Sequence, residues 1–248
     1  MDSKEIVIDV HNLVKKFGEF VANNNLTFQV YKGEIFGFLG ANGAGKTTAI
    51  RIMSGLLEPT SGSINVAGFN AYTQRDLIKA NIGYMSQKFS LYDDLTVKEN
   101  IRFFGGIYGL SVEVLKARID ELLTDLKMTE FKDELISSLP LGWRQRLAFS
   151  IAMIHNPVIV FLDEPTGGVD PITRRGFWEM IYNVASKGTT VFVTTHYMDE
   201  AEYCDRVSIM VDGRIDALDS PSNLKIQFNA NSMDEVFVML ARNGKSVV

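Results

Sequence analysis

The spacing of apolar residues changes several times along the chain, and each change marks an element. Residues 5–13 and 26–30 alternate apolar and polar positions, which predicts two strands. After a turn at Lys32-Gly33-Glu34, residues 34–39 read as a buried strand and residues 48–57 as a helix. Residues 58–63, rich in Ser, Gly and Pro, break that helix. Residues 63–67 then alternate as a strand, and residues 82–87 form a short strand ending on the polar Gln87. From about residue 96 to residue 152 the period moves to near 3.6, the signature of helices. Thr96-Val97-Lys98-Glu99 has the form of a capping box, and Gly105-Gly106 and Gly109 are expected to break the run it opens. Ser111 suits the cap of a second helix carrying Val114, Ile119, Leu122, Leu123 and Leu126. Residues 144–154 form a third, closed by Asn156-Pro157.

Beyond this helical stretch the strand pattern returns. Residues 158–162 are an unbroken apolar run, as expected of a central parallel strand. Residues 171–186 place Phe177, Ile181 and Val184 on one helical face, with Gly188 as terminator. Another strand covers residues 189–194. Asp212-Gly213 between residues 206–211 and 214–217 is a hairpin signal, and residues 234–241 form a short amphipathic helix. The whole reads as an alternating α/β chain with a helical insertion.

Composition narrows the class. The 248 residues, 46% hydrophobic and 22% charged, suit a soluble globular protein with a full core. A net charge of −5 disfavours bulk nucleic-acid binding. The single cysteine, Cys204, excludes an internal disulfide framework, fits a reducing compartment and is expected to pack. Residues 1–9 carry Asp2, Lys4, Glu5 and Asp9 and lack an apolar signal core. No run of about 18 apolar residues exists, so a membrane role would come through a partner.

The candidate chemistry gathers at predicted strand ends. Gly40-Ala41-Asn42-Gly43-Ala44-Gly45-Lys46-Thr47 fits the phosphate-loop template between a strand and a helix. Its glycines let backbone N–H groups close on an anion, and the helix dipole favours phosphate there. Lys46 is placed to meet terminal phosphates and the Thr47 hydroxyl to ligate Mg²⁺. Asp163-Glu164-Pro165 follows the central apolar run. Asp163 can bind Mg²⁺ through oxygen, and Glu164 can take a proton from an attacking water. Gln87 ends its strand where a side-chain oxygen can reach a metal, though a lone glutamine also suits a solvated loop. His196, at another strand end, can donate to phosphate or serve as a cap. Phe17, expected on a loop, can stack on a purine or be half-buried packing. His11 and His155 have no such context and read as structural.

Together these residues make the chain resemble the nucleotide-binding subunit of an ATP-binding-cassette (ABC) transporter, over nearly its whole length. The resemblance implies an α/β P-loop NTPase with a RecA-like parallel sheet core, an antiparallel β subdomain and an inserted α-helical subdomain. It implies a single ABC ATPase domain over residues 1–248. Residues 1–87 and 157–230 would form the catalytic core with the β subdomain, 88–156 the helical subdomain, and 231–248 a C-terminal helix and tail. Phe17 matches the adenine-stacking aromatic, residues 40–47 the Walker A loop, and Thr48 its following hydroxyl. Thr47, Gln87 and Asp163 match the Mg²⁺ ligands, Glu164 the catalytic glutamate, and His196 the switch histidine. Asp170, after Gly167-Gly168-Val169, matches the D-loop. ATP and Mg²⁺ are the implied cofactors. The implied partners are a second cassette, identical or paired, bound head to tail, and a separate membrane permease. The permease would hold the chain on the cytoplasmic face of the membrane, with residues 89–94 as candidate contact surface or as packing between subdomains. Nucleic acid is not an implied partner.

One motif departs from the family. Where the family has Leu-Ser-Gly-Gly-Gln, this chain reads Leu139-Pro140-Leu141-Gly142-Trp143, and only Leu139 and Gly142 match. In the family this segment closes on ATP held by the other subunit, which implies Leu141, Gly142, Trp143 and Asp170 as contacts in trans. Pro140 brings neither hydroxyl nor N–H. Either the site is catalytically weak, or the backbone of residues 141–144, at a helix start near Trp143, grips the γ-phosphate. Asp170-Pro171, Thr173-Arg174-Arg175, Trp178 and the segment Met233-Asp234-Glu235-Val236-Phe237 resemble ATPases of multidrug-type ABC-2 exporters. Two rivals stand beside an ATP-hydrolysing exporter subunit. One is an ATP-gated subunit with little turnover. The other is a soluble ABC protein acting on ribosomes or DNA, a group that usually carries two cassettes or long coiled-coil insertions.

Overall fold

The computed structural model describes residues 4–88 and 90–244. Two sheets carry the architecture. The first is antiparallel, in the order β2-β1-β4-β5: β1 (Ile6–Phe17), β2 (Phe20–Tyr31), β4 (Ser61–Val66) and β5 (Phe69–Asn70). The second has six strands in the order β10-β9-β3-β8-β7-β6. They are β3 (Ile35–Gly40), β6 (Ile82–Met85), β7 (Ile159–Asp163), β8 (Thr190–Thr195), β9 (Arg206–Val211) and β10 (Arg214–Asp219). All pairings in it are parallel except β9 with β10. Every residue of β3, β7 and β8 is buried, which explains their unbroken apolar character: both faces of the sheet are covered.

Helices cover those faces: α1 (Lys46–Met53), α2 (Arg75–Asn81), α5 (Leu141–Ala152), α6 (Pro171–Ser186), α7 (Pro221–Gln227) and α8 (Met233–Gly244). One core lies between the sheets, where Phe28, Phe36, Phe38, Phe161 and Phe192 stack at centroid distances of 5.2–6.2 Å. A second lies on the other face under α5, α6 and α8. A third belongs to α3 (Val97–Ile107), α4 (Val112–Asp125) and one side of α5. Helix α5 therefore has two buried faces. Ala148, Phe149 and Ala152 meet the main sheet, while Leu147 and Ile151 meet α3 and α4.

Local chemistry explains most boundaries. Thr96 and Glu99 form a reciprocal capping box at α3, and Ser111 caps α4; such caps are each worth about 1 kcal/mol. Asp170 caps α6, with Pro171 at the first helical position. Asp212 (φ 46°) and Gly213 (φ 77°) turn β9 into β10 with two left-handed residues, as a tight hairpin requires. Three expectations fail. Helix α3 runs through Gly105 and Gly106 to Ile107, because Gly105 lets α3 press against Leu115 of α4 where any Cβ would collide. Helix α5 begins at Leu141 rather than near Trp143 or Arg144, with Pro140 in extended conformation as its N-cap. Phe17 lies on no loop: it is the last residue of β1, paired with Phe20 across the Gly18-Glu19 turn.

Candidate active site

Strand order brings the candidate residues to one edge. In the run β3-β8-β7-β6, Leu39 pairs with Thr195, Asp163 with Thr194, and Met85 with Leu162. The chain therefore leaves the sheet at Gly40, His196, Glu164 and Gln87 along a single C-terminal edge, where open α/β sheets hold ligands.

The loop after β3 takes its shape from glycine. Gly43 (φ 83°) and Gly45 (φ 100°) are left-handed, and a Cβ on Gly45 would run into the Ala22 carbonyl. Strand β2 backs the loop, with the Asn23 amide donating to Gly45 O at 3.1 Å. Gly45 is the N-cap of α1 and no side chain caps the helix, so its first amides are left for another acceptor. Lys46 is only 4% exposed. Its ammonium donates to Gly40 O at 2.7 Å and Ala41 O at 3.2 Å, and lies 3.2 Å from Glu164 Oε1.

Glu164 is the hub. Its Oε2 accepts from Gln87 Nε2 at 3.1 Å and sits 3.0 Å from His196 Nδ1. A carboxylate only accepts, so Nδ1 carries the hydrogen. Glu164 is held in a left-handed conformation (φ 49°), its N–H tied to the Thr194 carbonyl and hydroxyl at 3.2 and 3.0 Å. Beside it, Asp163 Oδ1 accepts from Thr47 Oγ1 at 3.2 Å and Thr194 Oγ1 at 2.8 Å. Burial pushes the Asp163 carboxyl up. The hydrogen bonds from Thr194 and Thr47 oppose this, Glu164 adds to it, and Lys46 opposes it. Lys46, Thr47, Gln87, Asp163, Glu164 and His196 thus stand in one connected network.

Thr47, Asp163 and Gln87 offer hard oxygen donors, the class Mg²⁺ selects. Among the described residues no group of three or more His, Cys, Asp or Glu could hold a metal.

The remaining candidates lie apart from this network. Thr48 is half-buried on α1. Phe17 is 50% exposed at the hairpin tip, with the Lys15 ammonium 4.9 Å over one face of its ring. Lys15 pairs with Asn23, the residue bonded to the loop, so Phe17 is two residues from the loop's backing. Leu141, Gly142 and Trp143 form the first turn of α5. Trp143 and Arg144 N–H return to Pro140 O at 3.0 and 3.2 Å, which leaves the Leu141 and Gly142 N–H groups without an acceptor among the described residues. Trp143 packs edge-on against Phe131 at 5.2 Å. Asp170 spends both carboxylate oxygens on its own helix, accepting from the Ile172 and Thr173 N–H groups and the Thr173 hydroxyl. Of residues 89–94, Phe89 lies outside the described residues, Leu91 packs between two cores, and Tyr92 meets Phe103 edge-on at 4.8 Å. Cys204 is buried, and burial pushes its thiol well up. No helix among the described residues is long and apolar enough to cross a membrane. Sequence reasoning missed Thr194, which bonds both Asp163 and Glu164. The sign was there, since a hydroxyl residue within an apolar central strand needs a polar partner.

Comparison with known proteins bears on family and fold. The sequence profile of the ABC transporter family matches residues 23–167. The chain is 46% identical over 242 residues to the "probable multidrug ABC transporter ATP-binding protein YbhF" of Escherichia coli (strain K12), covering 95% of this chain and 42% of that protein. It is 34% identical over 246 residues to the "linearmycin resistance ATP-binding protein LnrL" of Bacillus subtilis (strain 168), covering 96% of this chain and 79% of that protein. The chain thus spans less than half the length of its E. coli relative, so the presence of one cassette in 248 residues does not bear on the choice between transport and soluble roles. Among solved structures, an ATP-binding subunit of an ABC transporter superposes with a TM-score of 0.84 at 27% identity, covering 94% of this chain and 99% of that one. The ATP-binding cassette MJ0796, as a dimer with ADP and phosphate in a post-hydrolysis state, gives 0.77 at 26% identity, covering 86% and 98%. The fold is that of a P-loop NTPase cassette, and the chain belongs to the ABC transporter family, of which it carries the ATP-binding domain.

Proposed function

We propose that this chain binds and hydrolyses ATP to power a membrane exporter of the multidrug class, working as one of two cassettes paired head to tail beneath a separate permease. The observation that carries this reading is the Glu164 carboxylate, held at once by Lys46, Gln87 and His196 beside the Thr47–Asp163 pair. In the proposed mechanism the loop amides and Lys46 neutralise phosphate charge, and Phe17 offers a ring face to the base. Thr47, Asp163 and Gln87 would hold Mg²⁺, which when bound neutralises charge on the phosphate oxygens. Glu164 orients the attacking water and takes its proton. His196 donates through Nδ1 to Glu164, fixing the carboxylate. Catalysis here is mainly positioning and electrostatics. The first turn of α5, with its free Leu141 and Gly142 amides, would face ATP bound on the other cassette. The MJ0796 cassette is a dimer, and the E. coli relative is described as a probable multidrug ABC transporter ATP-binding protein, which supports this assembly.

The test is ATP turnover of the purified chain against Glu164→Gln. The variant should still bind ATP, accumulate as a dimer, and turn over about 10²- to 10⁴-fold more slowly. Wild-type turnover in Glu164→Gln would remove Glu164 from the role. A second reading, an ATP-gated subunit with little turnover, is favoured by Pro140 at the α5 N-cap, which supplies no side-chain donor. Native turnover near background would select it.

A further inference from the structure

A buried ionic cluster lies outside the network just described, between the segments that follow Glu164 and His196. Glu200 is fully buried. Its Oε1 accepts from the Thr166 hydroxyl at 2.5 Å and lies 3.6 Å from Arg174 Nε, while its Oε2 has no hydrogen-bond partner among the described residues. A buried carboxylate needs a cation to balance it, and Arg174 is the cation placed to do so. Arg174 comes from α6. Its second anionic contact is Asp199, at 3.5 Å. The guanidinium plane also covers the Tyr197 ring, with Cζ 4.2 Å from the centroid. Tyr197 in turn lies against the His196 imidazole, with ring centroids 4.2 Å apart. His196 Nδ1 holds Glu164. A continuous chain of contacts thus runs from Arg174 on α6 through the Tyr197 ring and the tilted His196 imidazole to the Glu164 carboxylate.

We propose that Arg174 is a positioning residue for ATP hydrolysis: its guanidinium clamps Tyr197 and thereby fixes the His196 imidazole against Glu164. This rests on the ATPase reading above. Among the described residues Arg174 contacts Tyr197, Asp199 and Glu200 rather than Glu164 or the phosphate loop, so it acts through other side chains. Its charge and its flat shape are both used, the charge on Glu200 and the plane on Tyr197. A lysine supplies only the first. Displacing a positioned group by about 1 Å can cost up to 100-fold in rate, so loss of one clamp two side chains away should cost roughly tenfold.

The test compares Arg174→Ala and Arg174→Lys with the unmodified chain, each also in a His196→Ala background. Arg174→Ala should lower kcat roughly tenfold with KM for ATP within about twofold, and Arg174→Lys should recover little of it. In the His196→Ala background, Arg174→Ala should have no further effect on kcat. A second readout needs no turnover. The imidazole nitrogen spectrum of the three histidines, assigned through His196→Ala, should show the His196 signal moving in Arg174→Ala while His11 and His155 stay in place. Should Arg174→Ala not fold, Tyr197→Leu removes the stack, keeps the Arg174–Glu200 pair, and must move the same signal. An unmoved His196 signal, or an equal loss of kcat with and without His196, overturns the proposal. If the unmodified chain hydrolyses no ATP, the ATPase reading fails, and the spectrum still decides whether Arg174 positions His196.

Discussion

Helices α1 and α5 both begin at a candidate phosphate contact, yet they begin differently. The N-cap of α1 is Gly45, left-handed and pressed against β2, and the loop before it turns on two further glycines, Gly40 and Gly43. The N-cap of α5 is Pro140, in an ordinary extended conformation, followed by the half-exposed Leu141. At α1 the backbone itself forms a concave shell, possible only because no Cβ is present. At α5 the anion-facing groups are those any helix offers, two free amides and a dipole. The first site specifies its ligand through shape. The second offers a direction of field and little else. Under the proposed function, affinity for nucleotide would therefore belong to the α1 side, while the α5 side would adjust turnover.

Breaking the stronger partner gives the largest effect. Lys46→Ala should weaken ATP binding by about 100-fold or more, because several charge-assisted bonds go at once. Equilibrium binding of a fluorescent ATP analogue measures it, and unchanged affinity would end the primacy of the α1 side. The weaker partner is sharpened by giving it what α1 has. Pro140→Ser with Leu141→Gly should raise steady-state turnover by roughly tenfold while leaving ATP affinity alone. Turnover that stays level would mean that the amides of residues 141–144 already suffice.

The smallest effect concerns the far end of α5. His155 stacks on Tyr108 at 3.8 Å and contacts Ile82 O at 3.0 Å, and burial holds its imidazole below the ordinary histidine range, with the Ile82 bond opposing. The unfolded chain therefore takes up the proton first. The stability this residue contributes is intact above the ordinary histidine range and is lost as pH falls toward its lowered folded value. Thermal unfolding at about pH 8 and about pH 5.5 should show a fall of a few degrees in the native chain and a shallower fall in His155→Gln. Parallel slopes would show that His155 does not seat α5.

Much of this comparison was legible in the sequence because it rests on local rules. A loop of three glycines before Lys46, two carboxylates after an apolar run, and the caps at Thr96 and Ser111 all act within four residues of themselves. What escaped depends on contacts across the fold. Gly105 and Gly106 are breakers by propensity, yet α3 includes them because α4 needs the room at Gly105. Helices α2 and α7 have seven residues each, too few to show a period, and exposed Leu77 and Ile226 blur their faces. Arg174, Tyr197 and Glu200 lie more than 20 residues apart along the chain at their widest, and no spacing rule joins them. That Lys46, Thr47, Gln87, Asp163, Glu164 and His196 stand together follows from strand order β3-β8-β7-β6, which no short motif states.

The left-handed backbone of Glu164 has a consequence for laboratory evolution. A side chain other than glycine costs about 1 kcal/mol in that conformation, and here a buried carboxylate is added to it. Selection for heat resistance alone meets two opposed terms at position 164: glycine or asparagine would relieve the backbone, but loss of the carboxylate would leave the buried Lys46 ammonium without its counter-charge, the larger cost. The strain is therefore retained by the pairing it makes possible, and a campaign to harden the cassette gains little by relieving it at this residue.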